Sequence, residues 1–197
     1  YVLFDQTKEC IIIDPGCYEK SEQKTLVDFI EKNQLKPVKL INTHCHIDHV
    51  LGNKFVAQKW NLALYMHEKD LPTLKSVADY CKVYGFHNYD PSPEPTHFLK
   101  HQDELTFGQS SLDIYFTPGH APGHIVLHNK FQKFVIGGDV LFYTSIGRTD
   151  LPGGDHDTLI KSIKETLLVM DEDTTVYCGH GQATKIGFEK TNNPFLK

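Results

Sequence analysis

At 197 residues, 40% hydrophobic and 23% charged, the chain has the length to build a core without disulfide or metal staples and the composition of an ordinary soluble protein. Its net charge of -5, with no run of Lys or Arg, excludes nucleic acid as the main partner. No apolar stretch approaches the roughly 20 residues that span a bilayer and no signal peptide is visible, so no membrane partner and a cytoplasmic location are expected. The five cysteines, Cys10, Cys17, Cys45, Cys81 and Cys178, are odd in number and scattered, which fits a reducing compartment better than a disulfide framework. The chain begins at Tyr1, so its N-terminus is expected to be trimmed.

In chain order, Tyr1-Val2-Leu3-Phe4 and Cys10-Ile11-Ile12-Ile13 read as the strands of a hairpin with a longer loop. Asp14-Pro15-Gly16 ends the second strand, and by composition Asp14 is a turn residue. A helix follows, with Ser21 available as its cap and Leu26, Phe29 and Ile30 as its apolar stripe. The run Val38-Lys39-Leu40-Ile41 then reads as a buried strand and completes a βαβ-like step.

Directly after that strand comes Thr43-His44-Cys45-His46-Ile47-Asp48-His49, four metal-ligand side chains within six residues. In extended backbone His44 and His46 point to the same side and reach one cation. Asp48 and His49 lie where the chain turns into a helix through Phe55 and face a neighbouring position, so one segment serves two metals. Imidazole with carboxylate suits zinc, and also iron or manganese. Cys45, between the two histidines, is expected to point away from the metals and to be structural, with redox sensitivity as the alternative.

Beyond the cluster, residues 62–66 read as a strand and Glu68-Lys69-Asp70 with Leu71, Leu74 and Val77 as a helix. From Tyr80 to His101 the chain is rich in Pro, aromatic residues and His with little periodicity, a long loop of the kind that is often functional. His67, His87, His97 and His101 have no partner at ligand spacing and are expected to be structural or surface residues. Short strands follow at 105–107, 112–116, 125–128 and 134–136, and an amphipathic helix over 157–170 precedes a last strand at 175–177. Three of these strands end in Gly plus a ligand-type residue: Thr117-Pro118-Gly119-His120, Gly137-Gly138-Asp139 and Cys178-Gly179-His180. Strands that deliver ligands from their ends, with helices outside, make a layered α/β design in which each half of the chain forms a sheet.

Taken together, these motifs resemble the metallo-β-lactamase superfamily, and within it the short glyoxalase II-like (hydroxyacylglutathione hydrolase-like) enzymes. The resemblance covers nearly the whole chain and implies a single domain over 1–197 with the four-layer αββα sandwich of that family. It implies that His44, His46 and His120 form a first metal site, that Asp48, His49 and His180 form a second, and that Asp139 bridges both. Asp14 matches a supporting acidic position, and His124 matches a histidine that is usually not a ligand. The resemblance implies two divalent ions, zinc first with iron or manganese as alternatives, and catalysis by a metal-bridging hydroxide beside Asp48. Asp139 stands where β-lactamases of the superfamily usually carry Cys or Ser, and His46 where its flavin-dependent oxygen reductases carry Glu.

The expected reaction is hydrolysis of a small-molecule thioester, an S-2-hydroxyacylglutathione giving the hydroxy acid and glutathione. The chain is expected to lack the C-terminal helical domain of glyoxalase II itself, which sets glutathione specificity apart as a separate question. Residues 145–154 resemble a segment of the shorter enzymes. There Arg148 offers a guanidinium to a substrate carboxylate, although a structural salt bridge accounts for it equally well. The rival reading is a mononuclear-iron persulfide dioxygenase, which shares a segment like Asn42 to His46 and uses one iron at the positions of His44, His120 and Asp139. The sequence around His180 resembles the binuclear hydrolases more.

Overall fold

The computed structural model describes all 197 residues, Tyr1–Lys197. They form two compact units, one of Tyr1–Leu99 with Thr106–Ser110 and one of Lys100–Leu105 with Ser111–Lys197. No helix is long and apolar enough to cross a membrane.

The first unit is built on a five-stranded sheet of β1 (Val2–Phe4), β2 (Glu9–Ile13), β3 (Lys36–Ile41), β4 (Leu64–Met66) and β5 (His97–Phe98), adjacent in that order. β1 and β2 form the expected antiparallel hairpin, with Leu3 opposite Ile11. From β2 onward the strands are parallel. Every residue of β2 from Cys10 to Ile13 is buried, the near-continuous apolar run of a parallel strand covered on both faces. Each such side chain contributes about 1.5–3 kcal/mol, so this central strand anchors the unit. It carries Asp14 at its end.

The helices of this unit are α1 (Lys20–Lys32), α2 (Ile47–Val50), α3 (Asn53–Trp60) and α4 (Leu71–Tyr80). α1 starts one residue before the expected cap Ser21. The residue at the cap position is Glu19, whose N–H donates to the Glu22 carboxylate at 2.8 Å, the reach-back of a capping box. The expected helix from Glu68 begins as a single 3-10 turn over Glu68–Asp70 and becomes α-helical at Leu71. The long segment from Tyr80 is more ordered than its composition indicates. It holds a 3-10 turn at Cys81–Tyr84 and then β5, which extends the sheet beside β4. Backbone hydrogen bonds to a neighbouring strand make β5, and local periodicity carries no sign of them. His97 stays on the surface, stacked on Tyr65 with ring centroids 4.2 Å apart.

The second sheet contains β6 (Glu104–Phe107), β7 (Ser110–Phe116), β8 (Ile125–Asn129), β9 (Phe134–Gly138), β12 (Thr175–Cys178) and β13 (Thr184–Lys185), in the order β13-β12-β9-β8-β7-β6. A two-stranded ribbon, β10 (Leu141–Phe142) with β11 (Ser145–Ile146), lies between β9 and β12 in sequence. β9 and β12 are parallel, so the Asp139 and His180 segments leave the sheet at the same edge. α5 (His156–Ser162) carries on as a π turn over Ile163–Leu167, where Leu168 N–H reaches Ile163 O at 2.9 Å. This shortens the expected 157–170 helix, while Leu159, Ile163 and Leu167 remain its buried face. α6 (Ile186–Asn192) closes the chain.

Two buried histidines outside the ligand set make stability depend on pH. Burial holds His128 and His67 below the usual histidine value of 6.5. A histidine depressed in this way stays neutral when folded, while the unfolded chain takes up a proton near 6.5. Its contribution is therefore complete above that pH and is lost as pH falls through the folded value. In chelator-treated protein the urea midpoint is expected to fall as pH drops below 6.5, and His128→Leu is expected to flatten that slope. An unchanged slope in the variant would remove His128 from the account.

Candidate metal centre

In the first unit the residues after β3 and β2 meet. The Asp14 carboxylate accepts from Thr43 N–H at 2.8 Å, from Thr43 Oγ1 at 2.6 Å and from His49 Nδ1 at 3.1 Å. A carboxylate only accepts here, so the proton of His49 sits on Nδ1 and the lone pair on Nε2. Because the Thr43 hydroxyl gives its proton to Asp14, Oγ1 accepts from His44 Nδ1 at 3.1 Å. His44 therefore holds the same tautomer. One carboxylate thus sets two imidazoles in the form that ligates a cation through Nε2. Ligand atoms of Asp14, His44 and His49 lie within 4.8 Å of one another. The His44 ring meets His46 edge-on at 4.8 Å and lies 4.0 Å from His49.

The local backbone explains why these residues converge. Asp14 has a left-handed φ of 48°, a conformation Asp and Asn tolerate better than most residues. Gly16 then passes so close to Asp48 O that a Cβ would lie 2.3 Å away. Gly52 N–H donates to Pro15 O at 2.7 Å, which clamps the 14–17 turn against the α2 region. Asp48 and His49 occupy the first turn of α2, with Asp48 Oδ2 3.6 Å from His49 Nε2. The Cys45 thiol belongs to the apolar core of this unit, 3.8 Å from Met66 Sδ, and burial pushes its pKa well up. That agrees with the structural reading.

In the second unit the turn after β7 carries His120. Its proline-glycine course is held by Ser162 Oγ donating to Pro118 O at 2.7 Å and Asp155 N–H donating to Gly119 O at 2.8 Å. His120 Nδ1 donates to Arg148 O at 2.8 Å, which again places the lone pair on Nε2. Asp139 Oδ2 lies 3.7 Å from His120 Nε2 and 3.5 Å from His180 Nε2. His124 is fully buried and lies behind Asp139. Its Nε2 accepts from Asp139 N–H at 3.0 Å and its Nδ1 faces Thr117 Oγ1 at 3.2 Å.

These donor sets fit divalent metal. Two ligands about 2.1 Å from a tetrahedral ion stand about 3.4 Å apart. The 3.5–3.7 Å spacings of Asp139 to His120 and His180 and of Asp48 to His49 are close to that value. They are too long for hydrogen bonds, as an ion between the atoms would require.

Arg148 contributes its carbonyl to His120, while its guanidinium pairs with Asp150 at 2.7 Å through both Nε and Nη2. That pairing draws the exposed Asp150 carboxyl down to about 2. His67 Nδ1 accepts from Lys69 N–H at 3.2 Å and His101 Nδ1 from Phe116 N–H at 3.2 Å; both are structural. Sequence reasoning passed over Asp70, fully buried, whose carboxylate accepts from Cys45 N–H between His44 and His46 at 2.6 Å. It also passed over Asn53, which donates to Asn42 Oδ1 at 2.7 Å while Asn42 donates to His49 O at 3.1 Å. Polar residues on helices read as solvent-facing, and only contacts distant in sequence reveal these roles.

The Asp14 arrangement predicts a specific variant. Asp14→Asn keeps the left-handed backbone and nearly the same shape, but it turns one acceptor into a donor facing Thr43 or His49. It is expected to weaken metal affinity about 10–100-fold and to destabilise the apoprotein by about 1–3 kcal/mol. Chelator competition and urea melts measure the two effects.

Comparison with known proteins agrees with this geometry. Residues 1–180 match the profile of the metallo-beta-lactamase superfamily. A protein of Haemophilus influenzae named hydroxyacylglutathione hydrolase GloC is 36% identical over 196 residues, covering 99% of this chain and 91% of that protein. Among solved structures, BLEG-1 B3 metallo-beta-lactamase superposes with a TM-score of 0.89 at 35% identity, over 99% of this chain and 92% of that one. TTHA1623 in a di-iron-bound form superposes with a TM-score of 0.89 at 32% identity, over 100% and 93% of the two chains. The mixed sheets flanked by helices are those of the metallo-β-lactamase fold, and the chain belongs to the metallo-beta-lactamase superfamily.

Proposed function

We propose that the protein is a binuclear metallo-hydrolase of the glyoxalase II type, acting on thioesters such as S-2-hydroxyacylglutathione. In this reading His44, His46 and His120 hold one divalent ion, Asp48, His49 and His180 hold a second, and Asp139 serves both. Zinc is the first expectation, and the di-iron form of TTHA1623 keeps iron beside it. The observation that carries the reading is that three of the proposed imidazole ligands, His44, His49 and His120, are each held by a hydrogen bond at Nδ1. That leaves each ready to ligate through Nε2.

When bound, divalent ions held by these residues would supply Lewis acidity to a thioester carbonyl and ease the ionisation of water. The chain's own part is to keep the donors in place. Asp14 and Thr43 orient His44 and His49, Arg148 O orients His120, and His124 holds the Asp139 backbone. Asp48, with its side chain 47% exposed, would be open to solvent and could accept a proton during the attack on the thioester. The name of the Haemophilus influenzae relative supports the thioester substrate. The likeness to BLEG-1 B3 metallo-beta-lactamase at 35% identity favours β-lactam hydrolysis as a second reading.

The test is metal content per chain after purification without added metal, followed by turnover of lactoylglutathione and a chromogenic cephalosporin side by side. About two metals and thioester turnover are expected. Cephalosporin turnover without thioester turnover would move the assignment to the second reading. A single iron with oxygen consumption on glutathione persulfide would replace both with the dioxygenase.

A further inference from the structure

We infer that Glu189 is a positioning residue for the candidate metal ligands of the second unit, because one buried carboxylate fastens both the β10–β11 ribbon that follows Asp139 and the loop that carries His180. The inference rests on the metal-centre reading above.

Glu189 lies on α6 and is fully buried. Its two oxygens accept from Thr144 N–H at 3.1 and 3.0 Å, from Thr184 Oγ1 at 2.5 Å and from Asn193 Nδ2 at 2.8 Å. Asn193 Nδ2 also donates to Ser145 O at 3.0 Å. Thr144 and Ser145 lie at the tip of the β10–β11 ribbon, where Thr144 takes a left-handed φ of 55°. The ribbon leaves the sheet beside Asp139 and returns at Gly147, whose N–H donates to Val140 O at 3.1 Å. The next residue, Arg148, holds His120 through its carbonyl. Anchoring the tip therefore sets where the base of the ribbon meets Asp139 and His120.

Thr184 opens β13 and closes the loop 179–183 that carries His180. The other end of this loop is tied by Gly179 N–H donating to Gly138 O at 2.7 Å, next to Asp139. Through Thr144 and Thr184, Glu189 sets the spacing of the His120, Asp139 and His180 segments relative to one another. An apolar side chain would fill the same space at lower desolvation cost, but it would fasten neither loop. A carboxylate accepting from several donors does both.

The test uses full-length, metal-depleted Glu189→Gln, with Thr184→Val and Thr184→Ser as a second pair. Glu189→Gln keeps the volume but turns one acceptor into a donor facing Thr144 or Thr184. The readouts are zinc affinity by chelator competition, the visible spectrum of the cobalt-substituted protein and the melting temperature of the apoprotein. Glu189→Gln is expected to lose about 10–100-fold in affinity with an altered cobalt spectrum. Thr184→Val is expected to lose less, and Thr184→Ser, which keeps the hydroxyl, to restore wild-type affinity. Wild-type affinity and spectrum in Glu189→Gln, even with a lowered melting temperature, would show that Glu189 only staples α6. Should Glu189→Gln fail to fold, equal affinities for the Thr184 variants would overturn the inference. A wild-type protein that binds no metal would overturn the metal reading and this inference together. One that binds two metals and spares thioesters would overturn only the substrate.

Discussion

Asp139→Ala is expected to lower thioester turnover by about 10³-fold or more while leaving the protein folded. The Oδ2 of the Asp139 carboxylate lies 3.7 Å from His120 Nε2 and 3.5 Å from His180 Nε2. Removing it takes negative charge and a ligand away from both histidines at once. The backbone there does not depend on the carboxylate. Asp139 N–H is held by His124 Nε2 at 3.0 Å, and the β9–β12 pairing continues beside it. Metal content should fall below two per chain, with circular dichroism unchanged. Asp139→Asn separates charge from shape, because it retains one acceptor oxygen without the negative charge. Intermediate activity is expected from it. Full turnover by Asp139→Ala with intact metal content would contradict the proposed role.

Gly147→Ala is expected to be the most damaging change of a single methyl group. A Cβ at this position would lie 1.9 Å from Asp139 O and 3.1 Å from His120 Nδ1. The first contact is with backbone, which cannot swing aside as a side chain does. The β11 end of the ribbon must move away, and the Arg148 carbonyl that orients His120 moves with it. Overpacking of this kind costs about 1–3 kcal/mol, and misplacing the orienting acceptor costs about 10–100-fold in metal affinity. Arg148→Ala is the control. It retains the carbonyl and removes only an exposed ion pair, so it should cost less than about 1 kcal/mol of stability. Urea melts of the apoproteins, compared with chelator competition, separate the two effects. A Gly147→Ala protein with wild-type affinity would show that His120 is oriented without this carbonyl.

Local pattern carries the parts of this molecule in which each residue answers to near neighbours. The buried run Cys10 to Ile13 and the strand before His44 follow from short apolar runs, and the apolar stripe of α5 follows from helical spacing. Strand ends followed by Gly and a ligand-type residue show where Asp139 and His180 leave the sheet. Even there the boundaries moved. Glu22 reached back to Glu19 and shifted the start of α1, and a π turn interrupted the helix after Ser162.

What the sequence by itself determined is the kind of chemistry: residue types and their spacing mark candidate ligands, since imidazoles and carboxylates at strand ends have few other uses in such numbers. The orientation of those ligands was decided by the tertiary structure alone. Asp14 reads as a turn residue, and Gly147 and Glu189 carry no local signal at all, yet each acts on segments far away in the chain. Asp14 meets Thr43 across 29 residues, and Glu189 meets Thr144 across 45. A hydrogen bond depends on distances of tenths of an ångström between particular atoms, whereas sequence pattern records only which faces are apolar. Tautomer, ring orientation and loop spacing therefore emerge only once the strands are paired and the loops have closed on one another.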